Sequence, residues 1–77
     1  MSLTPSFLEQ EAFNVAVDVI CHIDTQLSRI GRRLTICQEN QIRSKSQKIF
    51  RENPKIENFK AFLELSVYSR NLVNQGL

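Results

Sequence analysis

Apolar residues in this chain recur at alternating steps of three and four, and no other feature restricts its fold so strongly. Phe13, Ala16, Ile20, Ile23, Leu27, Ile30, Leu34 and Cys37 follow that spacing. It is the a and d seam of a helix packed lengthwise against another helix. Ala12, Val17 and Val19 flank the seam and Val15 lies farther round. A stripe this wide suits a helix with neighbours on two sides. The valines and isoleucines have modest helix propensity, so the segment needs tertiary contacts to stay helical.

The seam sets the boundaries of a first helix over residues 5–30. Thr4 before Pro5 offers an N-cap and a first-turn proline. Ser6 with Glu9 three residues on offers a capping box instead. Gly31 reads two ways. As the residue just past a helix end it stops the first helix, with Arg29 near the negative end of the dipole. Thr35 and Gln38 then form the capping box of a second helix over 36–52. Alternatively, the heptad phase runs unbroken from Ile30 to Leu34 to Cys37, and one helix spans 5–52. The leading reading places the break at Gly31.

Residues 36–52 carry Ile36, Ile42, Ile49 and Phe50, but Gln38, Asn40, Gln41, Ser44, Ser46 and Gln47 leave most sides polar. This helix is expected to be largely exposed or to face a polar partner. Glu39 and Arg43 are spaced for an i, i+4 ion pair. Asn53-Pro54 breaks the chain, with Asn53 as cap and Pro54 as first residue of a third helix over 54–73. That helix holds Ile56, Phe59, Phe62, Leu63, Leu65, Val67, Tyr68, Leu72 and Val73. Apolar residues cover most of its circumference, so it is expected to be the most buried element. The expected fold is an all-α, three-helix antiparallel bundle in a single small domain, residues 1–77, completed by homodimerisation. The alternative is a helical hairpin dimer of helices 5–52 and 54–73.

Two glycines and two prolines in 77 residues are too few for a turn-rich β fold. The net charge of +2 hides a segregation. Residues 1–28 carry Glu9, Glu11, Asp18 and Asp24 and no cation. Residues 29–51 carry Arg29, Arg32, Arg33, Arg43, Lys45, Lys48 and Arg51 against Glu39 alone. No apolar run reaches the roughly 18–20 residues of a membrane span. Two cysteines without an export signal imply reduced thiols and a cytoplasmic address.

Few residues are arranged for chemistry. Cys21, His22 and Cys37 lack zinc-ligand spacing, and adjacent residues on a helix diverge by about 100°. Cys37 is expected to pack on the seam and Cys21 at its margin. Asp18 and His22 lie one turn apart, the minimum of a general-base pair, but nothing nearby supplies a nucleophile. Phe13, Phe59, Phe62 and Tyr68 are expected in the core. No cofactor, metal or small-molecule substrate is implied, and no enzymatic activity is expected.

Two binding functions remain. The first is a helical protein-protein interaction module, a regulatory or accessory subunit acting as a homo-oligomer or with a helical partner. Its expected interface is Phe13, Ala16, Ile20, Ile23, Leu27 and Ile30, because helix 36–52 has too little apolar surface to cover its neighbours. The second is a small nucleic-acid-binding regulator using Arg29, Arg32, Arg33, Gln41, Arg43, Lys45 and Lys48. The stretch from Leu27 to Thr35 is similar to the turn of a helix-turn-helix, with Gly31 in the turn and Leu34 behind it.

Overall fold

Gly31 ends the first helix. The computed structural model describes residues 7–75, which form α1 (Phe7–Ser28), α2 (Ile36–Glu52) and α3 (Asn58–Gln75). Gly31 has φ +71°, a left-handed backbone that a side chain would strain. The Arg32 N–H donates to the Leu27 carbonyl at 2.9 Å and the Gly31 N–H to the Ser28 carbonyl at 3.1 Å. This nested pair is the Schellman closure, which satisfies carbonyls the helix leaves open. A single helix over 5–52 is therefore excluded. The cap candidates Thr4, Pro5 and Ser6 lie outside the described residues.

Thr35 starts α2 through the expected capping box. Its hydroxyl accepts from the Gln38 N–H, and the Gln38 side chain accepts from the Thr35 N–H, both at 3.0 Å. Asp24 steadies the same connection, its carboxylate accepting from the Leu34 N–H at 3.3 Å. Glu39 and Arg43 meet at 3.9 Å on an exposed face, a pair worth a few tenths of a kcal/mol at most.

The second boundary differs from the expected one. Asn53 caps the end of α2, its N–H donating to the Ile49 carbonyl at 3.0 Å, rather than the start of α3. Pro54 occupies a turn closed by the Ile56 N–H on the Asn53 carbonyl at 3.0 Å. Pro sets φ for the second residue of such a turn just as well as for a first helical turn. The third helix begins only at Asn58, and the Glu57 carbonyl accepts its first bond, from Ala61.

All three helices pack against one another. The core consists of Ala12, Val15, Ala16, Val19, Ile23 and Leu27 from α1, Ile42, Ile49 and Phe50 from α2, and Ala61, Leu65 and Val73 from α3. On α1 the buried arc is centred about 50° round the helix from the expected seam, at about 100° per residue. A helix wedged between two neighbours buries the arc between them, and a 3.5-residue seam drifts about 20° per heptad on a straight helix. Phe13 is 55% exposed as a result, and Ile30, beyond the helix end, is 67% exposed.

Helix α2 is largely exposed, as expected, yet its inner line is an integral wall of the core. Ile42, Ile49 and Phe50 are buried there, and so is Ser46, whose hydroxyl donates to the Ala12 carbonyl at 2.6 Å. Ile42, Ser46 and Ile49 thus make one continuous inward line at i, i+4 and i+7. Ser69 is buried in the same way, its hydroxyl returning to the Leu65 carbonyl at 2.7 Å. Small residues at these contacts let helix backbones approach closely, as Ala12, Ala16 and Ala61 also do.

Candidate protein-interaction surface

Helix α3 is not buried all round. Its inward line is Ala61, Leu65, Ser69 and Val73. On the opposite side Phe59, Leu63 and Val67 stand one turn apart and are 69%, 47% and 60% exposed. Residues four apart form a ridge along a helix, so these three side chains make one apolar ridge on the outer surface. Phe62 is half-buried between that ridge and α1, its ring centroid 6.1 Å from that of His22.

The α1 residues expected to meet a partner divide. Ala16, Ile23 and Leu27 are buried within the chain's own core. Phe13 and Ile30 remain exposed and Ile20 is half-buried. Below Phe13 an open cleft of about 600 Å³ lies between the start of α1 and the end of α2, with Leu8, Ala12 and Phe50 among its walls.

The basic residues also divide. Arg29 and Arg33 are exposed and Arg32 half-buried in the connection between α1 and α2. That connection spans residues 29–35, longer than the three- to four-residue turn of a helix-turn-helix. Arg43 and Lys45 lie about 160° apart on α2 at about 100° per residue. Lys45 sits over the Tyr68 ring, its Nζ 5.5 Å from the centroid, within cation–π range. With Gln41, Ser44, Lys48 and Tyr68 it lines a shallow trough of about 670 Å³ on the α2 and α3 side. Arg43 is therefore outside that trough, on the α1 side with Glu39.

Neither cysteine packs as expected: Cys21 and Cys37 are both free and exposed. The rotation of α1 turns Cys21 outward, and Cys37 lies on the outer side of α2. His22 does not pair with Asp18; its Nε2 lies 3.3 Å from the Gln26 side-chain nitrogen. Phe13 and Phe59 are outside the core, while Tyr68 and Phe62 pack against it. Among the described residues no three His, Cys, Asp or Glu side chains converge as a ligand set, and no helix is long and apolar enough to cross a membrane.

No family model, curated protein or solved structure matches this chain.

Sequence reasoning missed the α3 ridge because it counted apolar residues around the helix without asking which side was closed. A signal was present. Ala61, Ser69 and the fully buried Leu65 share one side, and a line of small residues marks close helix approach. The large residues at Phe59, Leu63 and Val67 are then directed away from the bundle.

Proposed function

We propose that this chain is a non-enzymatic helical interaction module, a regulatory or accessory subunit that acts as a homo-oligomer in the cytoplasm. The observation that carries this reading is the exposed ridge of Phe59, Leu63 and Val67 on α3. Leaving three large apolar side chains in water forgoes burial worth about 1.5–3 kcal/mol for each that is fully covered. Association recovers it. Exposed free thiols at Cys21 and Cys37 suit a reducing compartment. Part of the expected α1 interface, Ala16, Ile23 and Leu27, is already used inside the chain, so association falls to the α3 ridge, with Phe13 and Ile20 as secondary contacts.

Sedimentation of the wild-type chain over a wide concentration range tests the proposal. A reversible oligomer is expected, and Leu63→Asp should dissociate it while far-UV helicity is retained. A wild-type chain that stays monomeric at the highest concentrations would remove the homo-oligomer reading.

The trough of Lys45, Lys48, Gln41 and Tyr68 favours a second reading, nucleic-acid binding, with exposed Arg29 and Arg33 adding positive charge. If three phosphates are neutralised, duplex affinity drops roughly 40-fold between 50 and 200 mM salt. Lys48→Glu with Arg33→Glu should flatten that dependence and leave self-association unchanged. Duplex binding that is absent at low salt would eliminate this reading.

A further inference from the structure

We infer that Thr35 is a phosphorylation site, modified by a protein kinase that recognises arginine, and that its phosphate caps α2. The inference does not depend on either binding reading above. Arg32 and Arg33 stand three and two residues before Thr35, and Ile36 follows it. A kinase selects its substrate by such a charge pattern, through acidic side chains in its groove and an apolar pocket for the next residue. No other Ser or Thr of the chain has two arginines among the three residues before it. Ser44 and Ser46 each follow one arginine, Arg43.

The fold presents the same residue. Arg32 to Thr35 lie in the connection between α1 and α2, outside any helix. Thr35 itself is extended, at φ −79° and ψ 161°, the backbone form in which a groove reads successive side chains. Arg33, Thr35 and Ile36 are exposed, Ile36 by 77%. Among the described residues neither Arg32 nor Arg33 is held in an ion pair. Only the first turn of α2 has to loosen to seat Ile36, and helix ends open most easily. Ser46 is the contrast: it is fully buried within α2, and its hydroxyl is committed to the Ala12 carbonyl.

In the transfer, the Thr35 hydroxyl oxygen bonds to the γ-phosphorus of ATP, the bond to the departing ADP breaks, and the hydroxyl proton passes to the catalytic base of the kinase. The product carries a charge of about −1.5 to −2 at pH 7. It stands at the positive end of α2, where the first N–H groups lack partners within the helix. The Thr35 hydroxyl already accepts from the Gln38 N–H at 3.0 Å, and a phosphate oxygen takes over that bond with a stronger, charge-assisted one. Arg32 and Arg33 adjoin the new charge in the chain. Asp24, which accepts from the Leu34 N–H, and Glu39 in the first turn oppose it. Two guanidiniums and the helix end against two carboxylates leave the balance in favour of the phosphate.

The test treats the full folded chain with ATP, Mg²⁺ and the catalytic subunit of cyclic-AMP-dependent protein kinase. Peptide mass spectrometry should find one phosphate, on Thr35. Thr35→Asn should take none yet melt like the wild type, because Asn caps a helix as well as Thr does. Arg33→Ala should lower the kcat/KM of phosphorylation about tenfold or more, since it removes a charge-assisted contact to the kinase. The phosphorylated chain should melt about 2–8 °C above the unmodified one. A folded chain that takes no phosphate, takes it on another residue, or takes it as fast with Arg33→Ala overturns the site. A chain phosphorylated on Thr35 that melts no higher overturns the cap and leaves the acceptor in place.

Discussion

Leu65→Ala should bring the chain close to its unfolding midpoint at room temperature. Leu65 is fully buried at the junction of the three helices. Truncating a buried leucine costs about 2–5 kcal/mol, the spread reflecting how far the site collapses around the cavity. A domain of this size commonly holds only about 3–5 kcal/mol of net stability. The loss is therefore comparable to the whole stability, and the remaining transition should lie roughly 10–30 °C lower. Leu63→Ala is the internal control, because Leu63 is two residues away on the same helix and 47% exposed. Thermal denaturation in dilute solution, where self-association does not contribute, should show a much smaller effect for that variant. Equal losses at the two positions would mean that α3 packs with a different face inward.

Ser46→Leu should destabilise the fold by about 2–4 kcal/mol, although it adds an apolar residue to a polar-looking helix. Two effects combine. The Ser46 hydroxyl donates to the Ala12 carbonyl at 2.6 Å, and a hydrogen bond of this kind contributes about 0.5–1.5 kcal/mol net. The site is also closed, with Ser46 fully buried, and extra methylenes in a closed site cost about 1–3 kcal/mol in displaced neighbours. Ser44→Leu, on the exposed side of the same helix, should change stability by no more than about 0.5 kcal/mol. Urea denaturation of the two variants checks the contrast. A Ser46→Leu chain as stable as wild type would show that α1 and α2 are not in close contact there.

Ser46 also shows where sequence reasoning stopped. Counted as polar, it breaks the α2 stripe and makes the helix look solvated. Placed against the Ala12 carbonyl it is core. Composition does not distinguish a serine directed at water from one directed at a carbonyl across a helix contact. The α3 ridge was lost for the mirror reason: Phe59, Leu63 and Val67 are apolar, and apolarity alone does not say that a neighbour exists to cover them.

What the sequence determined by itself was local. The capping box of Thr35 and Gln38 and the limits of α2 depend on hydrogen bonds within a few residues, whereas Gly31 fitted both a stop and a continuous helix until its left-handed backbone decided for the stop. The three-helix architecture followed from these stops and from the length of the apolar stripes. Only the tertiary structure decided the rotation of each helix about its own axis. That choice set Ala12 and Val19 inside and Phe13 outside, and it turned Phe59, Leu63 and Val67 to the surface. Helix rotation depends on where two neighbours lie and how closely small residues let them approach, a property of the three helices together that no single segment encodes. The candidate interaction surface is what that rotation left uncovered.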